Sequence, residues 1–369
     1  MKVYMISDTH FGIYLNDINK WLKMMVSTFD EFIIPFLKKN VKEGDILIHC
    51  GDVFDNRTSI PINVMNEVER ILVDISKIMP VHILIGNHDN FNKDSSNGIN
   101  SVRVFSYIEN VTVYQDTNSI QLFDKKLVLI PWVERRLELI DAIKDHPGDY
   151  LFCHSDLNGC RMHLSSVAHR NADKIDVFEF KGYKHVFSGH IHIRQTNKNF
   201  TFIGSPYQMD RNDMGDQKGI TILDVVSGEI EFIPNTYSPV FKRVSVTTEV
   251  DIEKLEQYKT SKDYIDLMVS NNLLVNNRKL RRKLEIILEH GGFASVGYID
   301  DMVNNEEEVE EEILDEEGID VSIDLDYEEF IRKFIEKRPY EDKFGEGILN
   351  EFDGIIKIYQ DNYRSKGDS

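Results

Sequence analysis

Cysteine is scarce: Cys50, Cys153 and Cys160 are the only three in 369 residues, and none stands in a paired spacing. That excludes a disulfide framework and a thiolate metal site, and it fits reduced thiols. Cys50 and Cys153 flank strand-like runs and are expected to be small buried residues. No apolar run approaches the roughly 20 residues that a membrane-crossing helix needs, so no membrane association is expected. No signal peptide is expected either, because the first strand-like run begins at Val3. Positive charge is also in deficit, with 43 Lys and Arg against 63 Asp and Glu and a formal net charge of -20. A broadly basic surface is thereby excluded. The deficit is local, however: residues 300–329 hold sixteen Asp or Glu and no Lys or Arg, leaving -4 for the rest. A locally positive groove stays open, and bound divalent cations would add charge that the formal count omits. With 41% hydrophobic residues the chain can bury a large core. It reads as a cytoplasmic globular protein of two or three domains.

What the chain does have is a series of polar residues, each just past a short apolar run. Val3 to Ile6 precedes Asp8 and His10, Ile46 to Ile48 precedes Asp52, and Val81 to Ile85 precedes Asn87, His88 and Asp89. Tyr150 to Cys153 precedes His154, and Val186 with Phe187 precedes Gly189, His190 and His192. Runs this short and β-branched read as buried strands, whose carboxyl ends bring side chains to one rim of a sheet. A lone Asp-x-His or His-x-His says little, and Asn-His-Asp by itself is an ordinary turn. Their number, order and repeated placement after strands make them one ligand set.

Aspartate, histidine and asparagine suit Mn, Mg, Fe or Zn without choosing among them. Asp8 and His10 are two apart, so a locally extended backbone would point both to one side, and the same holds for His190 and His192. Two cations about 3.5–4 Å apart need a bridging carboxylate to offset their repulsion. Asp52, after Gly51 in a tight turn, is the candidate. Such a centre can neutralise an anionic substrate and activate a water. His88 and Asp89 follow Asn87 in the same loop, and Asp89 either orients His88 or caps that loop.

Ser7-Asp8-Thr9-His10, Gly51-Asp52-Val53-Phe54-Asp55, Gly86-Asn87-His88-Asp89 and Gly189-His190-Ile191-His192 resemble the calcineurin-like metallophosphoesterases. Gly204-Ser205-Pro206 followed by Lys218-Gly219-Ile220 resembles the SbcD branch of DNA-repair nucleases, and most closely its phage form. The likeness covers about residues 1 to 245. It implies a four-layer α/β sandwich over residues 1–240, a small α+β DNA-capping domain over 241–300, and a helical carboxyl-terminal tail. It also implies two divalent ions, manganese first and magnesium second. Asp8, His10 and His192 would hold one with Asp52, and Asn87, His154 and His190 the other with the same Asp52. His88 would stand beside the scissile phosphate. Asp55 occupies the position where archaeal and eukaryotic members carry a histidine near substrate, and Ser155 follows His154 where glycine is common. Neither change removes a ligand.

The remaining segments divide between packing and contact. Asn19 to Lys39 and Ile60 to Ile78 carry apolar residues at helical intervals and read as helices laid on a sheet. Gly219 to Ile233 reads as a hairpin turning at Ser227-Gly228. Phe91 and Phe105 qualify as base-stacking residues only if exposed. Arg135, Arg136, Arg161, Arg170, Arg194 and Arg211 are scattered candidates for phosphate contact, with Arg194 foremost because it follows the His190 and His192 pair. His49 and His82 read as core residues, His146, His169 and His290 as surface ones, and His163 and His185 as structural. Residues 277–290 read as a basic amphipathic helix, and 301–326 as an acidic linker. Tyr327 to Ile335 and Ile348 to Tyr359, within 327–369, read as helices. By resemblance these would dock an SbcC-like ATPase, with a homodimer as the assembly and double- or single-stranded DNA as substrate. The expected activity is metal-dependent exonuclease and endonuclease cleavage at DNA ends. Two alternatives stay open: a phosphodiesterase or phosphatase with another substrate, and a silent scaffold for DNA ends or the ATPase.

Overall fold

The computed structural model describes residues 1–13, 18–91, 98–164, 166, 171, 174–258, 261–270, 273, 277–290 and 293–299. Two six-stranded mixed sheets form its centre. In the first, Lys2–Ile6 (β1), Ile46–His49 (β2), Val81–Leu84 (β3) and Val111–Tyr114 (β4) run parallel. Gly219–Asp224 (β11) and Ile230–Pro234 (β12) return antiparallel along the β1 edge. The second is built from Asn118–Leu122 (β5), Lys125–Ile130 (β6), Tyr150–His154 (β7), His185–Gly189 (β8), Gln195–Asn197 (β9) and Phe200–Phe202 (β10). Its order is β5-β6-β7-β8-β10-β9, with β6, β7, β8 and β10 parallel.

The apolar runs are continuous rather than alternating because both faces of each sheet are covered. Along β1, Val3 and Met5 face the second sheet and pack with Ile46, Ile48, Leu127, Leu129 and Phe152. Tyr4 and Ile6 face the other way, onto residues of Ile18–Thr28 (α1), Ile34–Asn40 (α2) and Ile62–Ser76 (α3). The outer face of the second sheet buries Val128, Ile130, Leu151 and Val186 against Leu139, Ile140 and Ile143 of Arg136–Asp145 (α4). Helix, sheet, sheet and helix make the four layers that the sequence motifs implied. Each fully buried aliphatic side chain in them contributes about 1.5–3 kcal/mol.

The helix read from Asn19 to Lys39 is two helices, joined by a π-type turn over Phe29–Ile33. Pro35 lies in the first turn of α2 and has no N–H to return to the preceding turn, so the regular ladder cannot pass through it. The hairpin and the second helix fall where the pattern placed them.

From Phe241 the chain builds a three-stranded parallel sheet of Phe241–Val246 (β13), Tyr264–Ser270 (β14) and Phe293–Ile299 (β15). With Glu249–Lys254 (α5) and Arg278–His290 (α6) it encloses an apolar core that includes Val246, Ile252, Leu267, Leu280 and Leu284. Arg278, Lys279, Arg281 and Arg282 of α6 are exposed. Met1–Asn304 form one compact unit. Within it, Trp21 packs on Phe241 and Tyr264 at ring distances of 6.2 and 5.4 Å. The Arg211 guanidinium grips the buried Asp266 carboxylate at 2.6 and 2.9 Å, which makes Arg211 a structural tie rather than a phosphate contact. Phe105 is buried against Phe54, whereas Phe91 is 46% exposed. Arg170, His169, the acidic linker and the helical segments of 327–369 lie outside the described residues.

Lys218, marked in the sequence by its place before Gly219, is buried. Its ammonium donates to Asp213 at 2.6 Å and to the His192 carbonyl at 2.8 Å, and lies 2.8 Å from Asp216. It neutralises two carboxylates and fixes the backbone at His192. Removing one partner of such a buried group strands the others. Lys218→Met is therefore expected to lower the unfolding free energy by about 3–5 kcal/mol in urea titrations. A loss below about 1 kcal/mol would show that the cluster does not carry the segment.

Candidate metal centre

The clustered polar residues sit on loops that leave the carboxyl ends of β1, β2, β3, β7 and β8. Seven described non-glycine residues have left-handed backbone, and four of them are Asp8 (φ 52°), His10 (φ 42°), Asp52 (φ 56°) and His190 (φ 86°). The extended backbone expected between Asp8 and His10, and again at His190, is therefore absent. These sharp turns fold each loop back over the sheet rim, at a cost of order 1–3 kcal/mol per residue. Hydrogen bonds between loops hold them there. Asp8 N–H donates to the Gly51 carbonyl at 3.0 Å, His10 N–H to the Asp52 carbonyl at 3.2 Å, and His190 N–H to Asp8 Oδ1 at 2.9 Å.

Three groups of side chains result: two make the candidate ligand set, and the third, His10 with Asp55 and His88, overlaps the first at His10. In the first, Asp8, His10 and His192 converge. His10 Nε2 and His192 Nε2 face each other at 3.2 Å. In the second, Asp52, His154 and His190 converge. Asn87 Oδ1 lies 3.0 Å from His154 Nε2 and 2.8 Å from His190 Nδ1. Asp52 joins the groups: its Oδ2 is 3.6 Å from His10 Nε2 and 3.3 Å from His154 Nε2.

This donor set fits cations. Asp8 Oδ2 is buried without a hydrogen-bond partner. Two imidazole nitrogens facing at hydrogen-bond distance cannot both keep a proton. Burial pushes the Asp8 carboxyl up, although His154 and His10 pull it back. Burial would lower His154, but the Asp52 carboxylate outweighs it and raises the ring to about 9. His192 is driven well below its ordinary value by burial and the nearby charge of His10. Protons thus satisfy the cluster unevenly, and divalent cations would displace them. The ring nitrogens facing away from the cluster are anchored. His154 Nδ1 meets the Cys50 carbonyl at 2.7 Å, and His190 Nε2 meets Asp156 Oδ1 at 3.2 Å. Such outer partners fix which nitrogen a ligand presents.

His88 stands at the edge of the first group, 4.8 Å from His10 between ring centres. Its N–H donates to Asp52 Oδ1 at 2.7 Å and its Nδ1 to the Asp55 carbonyl at 2.7 Å, which leaves Nε2 as the outward nitrogen. The Asp55 carboxylate lies 3.2 Å from His10 Nδ1, outside the hydrogen-bonding direction. The Asp89 carboxylate hydrogen-bonds loop amides and not the His88 ring. It accepts the N–H groups of Asp52, Val53, Phe54 and Gly86 at 2.9–3.2 Å, so of its two expected roles the structure shows the loop cap. Arg194 stacks 4.8 Å over the Phe232 ring, and among the described residues its contacts do not run to the cluster. His49, His82 and His185 bond to Thr9, Tyr114 and Thr201, as structural histidines should.

Two residues escaped the sequence reading. Asp156 is tied to His190 and to Lys174 at 3.2 Å each. Burial would raise it, but these partners hold it down at about 2. Trp132 packs against His190 and His154 at ring distances of 5.0 and 5.9 Å. Asp156 is two residues past His154, and Trp132 follows Pro131 at the end of β6, a strand that delivers no ligand. The position after a strand end was the available signal for both.

Gly189 shows how closely the loops approach. A Cβ there would lie 2.0 Å from Ser7 Oγ and 2.5 Å from the Cys50 carbonyl oxygen, whereas at Gly182 it would meet nothing within 4 Å. Gly189→Ala is expected to destabilise the protein by about 2 kcal/mol or more and to weaken divalent-cation binding in calorimetry. Gly182→Ala should stay within about 0.5 kcal/mol of the parent. Equal effects from the two substitutions would contradict the close approach.

The pattern of the family described as calcineurin-like phosphoesterase matches residues 1–194. The chain is 28% identical over 239 residues to exonuclease subunit 1 of Enterobacteria phage T4, covering 64% of this chain and 68% of that protein. It is 26% identical over 217 residues to the putative phosphoesterase 244L of Invertebrate iridescent virus 6, covering 56% and 70%. It is 24% identical over 220 residues to the putative phosphoesterase 078R of Invertebrate iridescent virus 3, covering 56% and 58%. With a match over more than half of its length and a cluster of Asp, His and Asn fit for divalent ions, the chain belongs to the calcineurin-like phosphoesterase family of metal-using hydrolases.

Proposed function

We propose that the protein is a metal-dependent phosphodiesterase that cleaves DNA at its ends, with both exonuclease and endonuclease activity. The observation that carries this reading is the pair of ligand groups joined at Asp52. The exonuclease named among its relatives supports DNA as the substrate. Asp8, His10, His192 and Asp52 would hold one cation, and Asn87, His154, His190 and Asp52 the other, with manganese the first choice. Two such ions would supply positive charge for the phosphoryl oxygens and lower the pKa of water.

The protein's own groups do the rest. Asp52, lowered by its histidine neighbours despite its burial, stays ionised between the two groups. His88 has its Nδ1 and main-chain N–H engaged, so Nε2 faces the substrate. As water attacks phosphorus in line it gives up a proton to solvent and the P–O bond to the leaving 3′ oxygen breaks; His88 donates to that oxygen from Nε2 in its imidazolium form, which burial disfavours and the Asp52 charge supports. Asp55 holds His88 through its carbonyl. Asp89 acts through the loops rather than on substrate, and Arg194 serves the packing at Phe232.

The relative's name, a subunit, supports assembly with a partner. We assign that partner as an SbcC-like ATPase docking on 327–335 and 348–359, with a homodimer as the working form and 241–300 as the DNA cap. End-labelled linear DNA, incubated with Mn and with the ATPase both absent and present, is expected to be cleaved. His88→Ala should lower the rate by about 10²–10⁴-fold with the fold intact, and chelation by EDTA should abolish it. Absence of parent cleavage under all these conditions, alongside hydrolysis of a chromogenic diester, would sink the DNA reading.

A further inference from the structure

Beside the second ligand group lies a cavity of about 360 Å³, within the roughly 300–1,000 Å³ range of small-molecule sites. It shares Asn87 and His190 with the metal centre, so a ligand anchored at the ions extends directly into it. Its apolar walls are Trp132, Val133, Leu139 and Ile175. Two cations, Arg136 and Lys174, and two carboxylates, Glu134 and Asp156, line it as well, with Lys174 paired to Asp156 at 3.2 Å. Arg136 Nε is buried without a hydrogen-bond partner, a donor left over from the fold.

The indole is fixed before any ligand arrives. Its N–H donates to Glu134 at 3.1 Å, the Trp132 main-chain N–H donates to the Ile85 carbonyl at 2.8 Å, and one side leans on His190 at 31°. It is half-buried, and its remaining surface borders the cavity. A flat aromatic platform, aliphatic walls and an unused cationic donor suit one class of group adjoining a phosphate: a nucleobase. We infer that this cavity is a nucleoside subsite in which the base next to the metal-bound phosphate stacks on Trp132. The inference rests on the phosphodiesterase reading for the position of the phosphate. It adds that the site grips the nucleotide by its base and not by its backbone alone. Stacking on an aromatic side chain tolerates any base, since each presents a π-face, and contributes about 1–3 kcal/mol.

The test uses the full-length protein in Mg and two probes that differ only in the base, dAMP and deoxyribose 5-phosphate. The chain has two tryptophans, and Trp21 is buried on Phe241, so quenching by dAMP reports on Trp132. Calorimetry is expected to give about tenfold tighter binding of dAMP, equivalent to about 1.4 kcal/mol, accompanied by quenching. Trp132→Ala should bring the two affinities within about twofold, and Trp132→Phe should keep most of the preference. Equal affinities in the parent, no binding of dAMP, or a base preference that survives in Trp132→Ala would overturn the subsite. Should Trp132→Ala fail to fold, the parent comparison and Trp132→Phe decide. A base preference without DNA cleavage would sink the nuclease reading and leave the subsite standing. DNA cleavage without a base preference would do the reverse.

Discussion

The Asp89 carboxylate is the tie on which the site's geometry depends. It is fully buried and takes the N–H groups of Asp52, Val53, Phe54 and Gly86. Those four amides belong to two loops, one after β2 and one after β3, and each would otherwise be an unsatisfied buried donor. When Asp89 is ionised these bonds are charge-assisted and about twice as strong as neutral ones. Burial and the neighbouring Asp52 charge push Asp89 up to about 7 against the pull of its amides. The two loops are thereby locked in register, and Asp52, Asn87 and His88 take their places from it. Asp52 then passes the constraint outward, through Oδ1 to the His88 N–H and through Oδ2 toward His10 and His154.

The strand ends and their ligands were legible because both signals are local. A buried strand writes itself as a short β-branched run, and a ligand after it appears as an Asp, His or Asn out of place. The directions of those side chains were not legible. An extended Asp-x-His is the default of strand geometry, but here Asp8, His10, Asp52 and His190 take left-handed turns. Asp and His enter that region more readily than most residues, but residue type alone does not say which of them will. The turns are imposed by hydrogen bonds across loops up to 182 residues apart, such as His190 N–H to Asp8.

Asp156, Trp132 and the fate of Arg194 were hidden for the same reason. Each is defined by what lies across a gap in sequence. Asp156 meets His190, Trp132 meets His154 and His190, and Arg194 turns onto Phe232 of the β11–β12 hairpin. Arg194 looked apt for phosphate because it follows the last ligand pair. A strand pairing decided otherwise, by bringing an aromatic ring within reach of its guanidinium. Sequence adjacency to a site is a poor guide to side-chain direction when the chain reverses within a few residues.

The charge of the centre imposes an order on its chemistry. Asp8, Asp52, Asp55, Asp89 and Asp156 gather around the four histidines and the asparagine of the ligand groups, and all five carboxylates contact ring nitrogens or loop amides directly. Without cations, an approaching phosphoester meets five carboxylates at short range, offset only in part by the raised His154 ring. The same carboxylates that draw in divalent ions therefore oppose an anionic ester until those ions are bound. Arg136 and Lys174 lie at the cavity on the side of His190, and the Asp156 carboxylate already takes part of the Lys174 charge. They cannot replace the ions at the ligand groups, though they can attract the flanking part of an anionic ester. Metal first and phosphoester second is the order that this distribution of charge favours, and it makes the acidic balance of the chain compatible with an anionic phosphoester.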